Sequence, residues 1–203
     1  MSSDPQRWLH RRGDLRRPGW VSVVDDSLPG WQYTGIRIGE LREHDAVELS
    51  DRGVERIVVP LSGSFIVTHR HHPGEWHTRL HGRRSVFEGP TDVLYLPTGT
   101  TATVEGEGRF AVAEAPTNEA RPWQYIPAAQ TPVELRGAGR SSRQVHNFGT
   151  PESLDAARLI VCEVIPPAEN WSSYPPHKHD EHVPGHESRL EEIYYFESAP
   201  VRG

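Results

Sequence analysis

The residues of this chain best suited to do chemistry are two histidines and a glutamate. His177 and His179 lie two positions apart, and Glu192 follows His179 by thirteen residues. Histidines at positions i and i+2 of an extended strand point to the same face, where a carboxylate from a neighbouring strand supplies a third ligand. Imidazole and carboxylate together suit zinc, manganese, iron or cobalt. The residue types and their spacing therefore indicate a metal site formed by His177, His179 and Glu192, and the alternative is that the two histidines are exposed loop residues.

Other side chains near this site compete with those three ligands. Glu191 directly precedes Glu192, and neighbouring residues of a strand face opposite sides. Glu191 is therefore expected to face solvent or to pair with an arginine. His182 and His186 are alternative ligands in a histidine-rich stretch, although we favour their interpretation as solvated loop residues.

A second group of histidines lies in the first half of the chain. His69 and His71 repeat the spacing of His177 and His179, but no glutamate follows them in the way that Glu192 does. We interpret this group as surface residues: His69, His71, His72, His77 and His81.

Composition excludes several classes of partner. The 203 residues carry a formal net charge of −6 and a pI near 6.0, which argues against a nucleic-acid or anionic-membrane partner. The sequence shows no secretion signal and no apolar run of about eighteen residues that would span a membrane. A single cysteine, Cys162, forms no internal disulfide, which is typical of the cytoplasm. Its apolar neighbours predict a core residue rather than a nucleophile.

Alternation of apolar and polar residues predicts an all-β chain. Short strands at regular spacing, separated by turns, are typical of a sandwich or barrel. A turn at Ser62 and Gly63 is expected to join two of these strands as a hairpin. The predicted strands are residues 33–41, 54–61, 64–68, 76–80, 85–87, 91–96, 101–104, 109–113, 133–136, 143–147, 158–165 and 190–196.

The strands divide the chain into two units. Residues 1–30 are an N-terminal arm, 31–118 a first β unit, 119–132 a linker, and 133–203 the beginning of a second unit that carries the metal motif. About four strands are predicted after Val133, whereas a closed jelly roll needs about eight. The second unit is therefore expected to be incomplete.

Several longer stretches match a known family. These stretches are residues 61–64, 82–87, 91–97, 133–139, 142–145, 147–148, 159–165, 170–180 and 190–196. Together they resemble the 5-deoxy-glucuronate isomerases of bacterial myo-inositol catabolism, the KduI/IolB family of the cupin superfamily. The stretch around His177 and His179 is the most specific of them.

The resemblance implies a two-cupin jelly-roll architecture. The second cupin motif of the first unit is expected near residues 89–99, but its usual histidine is absent there. The first cupin is therefore expected to hold no metal. In the second cupin the resemblance assigns His177, His179 and Glu192 as ligands of a divalent ion, with zinc preferred and manganese or iron as alternatives. The family's further histidine ligand would lie beyond Gly203.

The resemblance also implies an enzyme activity. It predicts an aldose–ketose isomerase that converts 5-deoxy-glucuronate to 5-dehydro-2-deoxy-gluconate, with reduced activity where the second cupin is incomplete. Arg143 and Lys178 are candidates for binding the sugar-acid carboxylate, and no residue is assigned as the catalytic base. The enzyme is expected to be a cytoplasmic homo-oligomer. The alternatives are a non-catalytic sugar-acid-binding cupin and a different cupin metalloenzyme, such as a dioxygenase.

Overall fold

The structure confirms the all-β fold class. It is a computed structural model that describes residues 8–175, 177 and 179–199. The regular structure of these residues is almost entirely β, interrupted only by 3-10 turns of three residues each. The strands are β1 (Ser22–Val24), β2 (Gly35–Leu41), β3 (Ala46–Leu49), β4 (Val54–His71), β5 (Gly74–Arg83), β6 (Val93–Leu96), β7 (Thr101–Pro116), β8 (Gln124–Ile126), β9 (Val133–Arg136), β10 (Arg143–Gly149) and β11 (Val161–Ile165).

Two long strands organise the larger sheet. This eight-stranded sheet has the order β1-β2-β7-β4-β6-β8, with β3 on β7 and β5 on β4. The first half of β4 pairs with β6 and its second half with β5. Similarly, β7 pairs with β3 near its start and with β2 further on. Because both long strands change partner along their length, the sheet folds over into the two layers of a jelly-roll type of fold.

The hairpin predicted at Ser62 and Gly63 is wrong. Strand β4 continues through these residues with a register shift between Pro60 and Ser62, and Gly63 has a φ of 87°. A Cβ atom on Gly63 would overlap the carbonyl oxygen of Glu107. Glycine is therefore required where β4 and β7 bend and approach closely, which is the role of a β-bulge rather than of a turn. The strands predicted at 101–104 and 109–113 are likewise one strand, β7.

Two other predicted strands are also wrong. Residues 86 and 87 instead belong to a short 3-10 helix, Val86–Glu88. Ser85 caps the start of this helix, because its hydroxyl accepts a hydrogen bond from the Phe87 N–H. Residues 190–196 join no ladder with any described strand. Alternation alone predicts an extended chain, but a strand also needs a free sheet edge to bind its backbone groups.

The sheet also recruits residues from outside the predicted first unit. Strand β1 lies in the predicted arm and pairs with β2, while β8 lies in the predicted linker and pairs with β6. The part of the chain that the structure describes contains no helix of the length and apolarity needed to cross a membrane.

Two apolar cores hold the molecule together. One fills the inside of the folded eight-stranded sheet, and its fully buried members include Phe65, Leu80 and Phe110. The other joins the outer face of that sheet to a smaller three-stranded sheet of order β11-β10-β9. In this second core Ile57 and Tyr95 of the large sheet belong to the same cluster as Phe148, Leu154 and Leu159. The small sheet is thus fixed to the large one by apolar contact.

Candidate functional site

A docked loop carries the chain from the small sheet to the predicted metal motif. The Trp171 backbone N–H donates to the carbonyl of Arg140 at 2.8 Å. The Asn170 side-chain amide donates to the carbonyl of Ser142 at 2.8 Å. These bonds hold the loop against the turn that precedes β10, a few residues before His177.

The structure places His179 beside both of the other predicted ligands. The rings of His177 and His179 have centroids 5.0 Å apart, and Nε2 of His179 lies 3.7 Å from Oε1 of Glu192. His177 Nδ1 lies 2.8 Å from the carbonyl oxygen of Pro175. Because a carbonyl only accepts, Nδ1 is the donor of this bond, which leaves Nε2 as the acceptor atom in the neutral form of the ring. A metal-binding histidine commonly has this type of second hydrogen bond.

One donor-atom separation, between His179 and Glu192, is compatible with a shared ion. Zinc binds imidazole nitrogen and carboxylate oxygen at about 2.1 Å, so two of its ligand atoms lie at most about 4.2 Å apart. The 3.7 Å between His179 and Glu192 falls within that limit. Nevertheless, among the described residues no group of three His, Cys, Asp or Glu side chains is arranged to hold a metal. The assignment of His177, His179 and Glu192 therefore stays a prediction.

The expectation for Glu191 is wrong. Its carboxylate accepts the backbone N–H groups of Gln32, Tyr33 and Thr34 at 3.1, 2.7 and 3.1 Å. The residue neither faces solvent alone nor pairs with an arginine. Its partners lie near the other end of the sequence, so local spacing gave no indication of them.

Of the two residues predicted to bind the substrate carboxylate, the structure describes Arg143. Arg143 is half-buried at the start of β10, and its Nη1 donates to the carbonyl of Ser141 at 3.0 Å. It lies opposite Arg136 in the ladder between β10 and β9. Lys178 lies outside the described residues.

The other candidates of this region are surface residues. His182 and His186 are exposed in a turn closed by backbone hydrogen bonds between Val183 and Glu187.

The prediction that Cys162 is a core residue is wrong, because its side chain is exposed. Alternation along β11 turns it away from the core that holds Leu159.

Sequence reasoning missed a buried charged cluster between the two sheets. Arg83 at the end of β5 donates to both carboxylate oxygens of Glu163 on β11, at 2.7 and 2.5 Å. Glu163 also contacts Nδ1 of His146 at 2.8 Å, and His146 is 1% exposed. Because Arg83 and Glu163 are 80 residues apart, no local motif could have indicated the pair.

The interpretation of His69 as a surface residue is wrong. Its side chain is fully buried, stacked on Trp76 and in edge contact with Trp123. Nε2 contacts the hydroxyl of Thr78 at 3.0 Å, and Nδ1 has no hydrogen-bond partner. Burial, with a smaller contribution from His77, lowers the pKa of His69 from 6.5 to about 4.

Acid should therefore destabilise the fold through His69. Between pH 6.5 and 4 the unfolded chain protonates this histidine and the folded chain does not, so stability falls as the pH is lowered through that window. The full loss is about 3 kcal/mol. Urea unfolding at pH 7, 5 and 4 should show a weaker pH dependence in His69→Gln than in the parent. The exposed His44→Gln is the control, and equal slopes in all three proteins would contradict this account.

Fold and site together define a class of protein. It is an all-β protein in which a carboxylate lies close to one of two neighbouring histidines. Its family follows from comparison with known proteins. The sequence profile of the KduI/IolB family matches residues 8–203, and the chain belongs to this family.

Characterised relatives agree with this membership. The chain is 38% identical over 188 residues to the 5-deoxy-glucuronate isomerase of Geobacillus thermodenitrificans, covering 91% of this chain and 67% of that protein. It is 35% identical to the enzyme of the same name from Listeria monocytogenes, covering 92% and 69%. The crystal structure of an IolB-like protein from Salmonella typhimurium superimposes with a TM-score of 0.77 at 33% identity, covering 84% of this chain and 65% of that one. The chain thus spans about two thirds of the length of these relatives.

Proposed function

We propose that this protein acts as an aldose–ketose isomerase that converts 5-deoxy-glucuronate to 5-dehydro-2-deoxy-gluconate. The observation that carries the proposal is the 38% identity to a relative named 5-deoxy-glucuronate isomerase, over a match that includes most of the chain. The names of the relatives favour this reaction over an oxygen-dependent one. A divalent metal, with zinc preferred over manganese or iron, is assigned to His177, His179 and Glu192.

The chemistry of these residue types suits an isomerisation. Moving hydrogen between adjacent carbons requires a carbonyl and its neighbouring hydroxyl to be held together and polarised, which a bound divalent ion supplies as a Lewis acid. The hydrogen bond from His177 to Pro175 fixes that ring with Nε2 available as a ligand. Glu192 lies beside His179 and receives a hydrogen bond from Tyr194 at 3.4 Å, which helps to orient the carboxylate.

The sugar-acid carboxylate is assigned to Arg143 and Lys178. The guanidinium of Arg143 donates to Ser141 through Nη1 alone, so its other nitrogens could bind a carboxylate. Arg136, opposite Arg143 in the ladder, is paired with Glu134 at 2.7 Å and suits this role less well. Lys178 is assigned from its place between His177 and His179 in the sequence.

We also propose a cytoplasmic homo-oligomer. A single cysteine in 203 residues fits a reducing compartment. Exposed apolar side chains of the second unit support self-association: Leu135 is 82% and Phe196 is 72% exposed. Such side chains favour burial in an interface.

An assay of the isomerisation tests the proposed function. The protein is incubated with 5-deoxy-glucuronate with and without added zinc, and ketose formation is followed by NMR. Zinc-dependent conversion is expected. In Glu192→Gln the rate should fall about 100-fold, as is typical when ligation of a metal is impaired. Absence of conversion by the zinc-loaded parent, or equal conversion by Glu192→Gln, would overturn the proposal.

A further inference from the structure

One edge of the small sheet is formed by β9, which is exposed along its whole length. This strand pairs with β10 on one side and with no other strand that the structure describes. All four of its residues are exposed, and Leu135 is 82% exposed. An edge strand presents a row of backbone N–H and C=O groups to which a further strand can bind. The edge of β9 is therefore a candidate interaction surface.

The hydrogen bonds to β10 show which backbone groups of β9 point to the free edge. The Asn147 N–H donates to the carbonyl of Pro132 at 2.9 Å, directly before β9 begins. Hydrogen-bonded pairs recur at every second residue of an antiparallel ladder. Glu134 and Arg136, two and four residues after Pro132, therefore direct their backbone groups to β10. Leu135 directs its own to the free edge.

The charges on β9 select one way in which a second copy can bind. A two-fold axis pairs an edge strand with its own copy, running antiparallel. An axis at Glu134 would place two carboxylates opposite each other, and an axis at Arg136 would place two guanidiniums opposite each other. An axis at Val133 brings neither charge opposite the other. Only an axis at Leu135 places Glu134 of each copy opposite Arg136 of the other, and opposite charges in such cross-strand pairs are stabilising.

The same axis also suits the backbone and the apolar side chain. Leu135 of the two copies would exchange two backbone hydrogen bonds, because its N–H and C=O point to the edge. Glu134 and Arg136 then fall in non-hydrogen-bonded pairs, whose side chains lie closer together. Within one chain they are already paired at 2.7 Å and half exposed, so two such pairs would join into four charges of alternating sign. The two exposed Leu135 side chains would cover each other.

We propose that β9 is a dimer interface, formed by antiparallel pairing with β9 of a second copy about a two-fold axis at Leu135. The inference names an interface for the proposed homo-oligomer and does not depend on the isomerase activity. The two three-stranded sheets would join into one continuous sheet. Because the axis uses the same edge of both copies, the pairing closes at a dimer.

Two charge reversals in the full chain test the interface. Glu134→Arg and Arg136→Glu each replace two attractive pairs with two repulsive ones, so each protein alone should dimerise about 10-fold more weakly than the parent. An equimolar mixture of the two should dimerise as tightly as the parent, because opposite charges again face each other across the axis. Analytical ultracentrifugation over a series of concentrations measures the association. Arg84→Glu changes an exposed residue outside β9 and should dimerise like the parent.

Hydrogen exchange on the parent gives a second readout that needs no variant. The amides of Val133 and Leu135 should exchange about 10-fold more slowly once the concentration is high enough for dimers to form. The amides of Glu134 and Arg136 already bind β10 and should change less. Exchange at Leu135 that is the same in monomer and dimer would overturn the interface, even where a charge variant fails to fold.

The outcomes separate this interface from the wider proposal of a homo-oligomer. A parent that stays monomeric at every concentration would overturn both. Charge variants that each dimerise like the parent would overturn the β9 interface alone, because the copies would then associate elsewhere. Each chain keeps its own altered charge in the mixture, so recovery on mixing reports contact between copies. A mixture of folded variants that stays monomeric would overturn the pairing about Leu135.

Discussion

Replacing Arg83 with methionine is expected to lower the free energy of unfolding by about 3–5 kcal/mol, the usual cost of removing one partner of a buried ion pair. The Arg83 side chain is 5% exposed, and that of Glu163 is 14% exposed. Methionine fills similar space but leaves the carboxylate with His146 as its remaining partner among the described residues. It also frees the carbonyl of Gly89, which accepts from Arg83 at 2.7 Å. Urea unfolding measures the loss.

The neighbouring arginine provides a matched control for this prediction. Arg84 is 90% exposed and pairs with Glu88 on the surface, so Arg84→Met should change stability by less than about 1 kcal/mol. Adding Glu163→Gln to Arg83→Met should recover about 1–3 kcal/mol, because the unpaired charge is then removed. Equal effects of the two arginine variants would show that Arg83 does not join the sheets.

Replacing Glu55 with alanine is the second change with a large expected effect, again about 3–5 kcal/mol of unfolding free energy. Glu55 is fully buried on β4 and accepts the N–H groups of Ala157, Arg158 and Leu159 at 2.6–2.8 Å. It also accepts the Tyr95 hydroxyl at 2.6 Å. Alanine would leave these donors unpaired and create a cavity. Urea unfolding again measures the loss.

Hydrogen exchange locates the effect of the Glu55 variant. Protection of the amides of residues 157–159 should fall more than protection within β4 and β7. Glu152→Ala, an exposed change in the same loop, should alter stability by less than about 0.5 kcal/mol. A Glu55→Ala protein as stable as Glu152→Ala would mean that the carboxylate does not hold this loop.

The alternation of apolar and polar residues predicted several strands of the fold correctly. Alternation located β5, where half-buried and exposed residues alternate along most of the strand. The strands β2, β9 and β10 were also located, although β9 is exposed at every position and β10 is buried from Val145 to Gly149. The same reasoning failed at Gly63, because glycine permits both a turn and a bulge and only the approach of Glu107 decides between them. It also failed at residues 190–196, whose extended chain is held by side chains instead of a ladder.

The candidate site was also only partly predictable from the sequence. The spacing of His177 and His179 and the place of Glu192 are visible in the sequence, and the structure places His179 beside both of the others. The contact of the neighbouring Glu191 with Gln32 is not visible, because these residues are 159 positions apart. Contacts over such distances depend on the complete fold and have no signature in a single sequence.

The metal content of the purified protein, measured by mass spectrometry after exposure to zinc, tests the central claim most directly. About one zinc ion per chain is expected. The double variant His177→Ala/His179→Ala should lose it, whereas His182→Ala/His186→Ala should keep it. A parent protein without metal, or a His177→Ala/His179→Ala variant with the parent's zinc content, would contradict the assignment of the site.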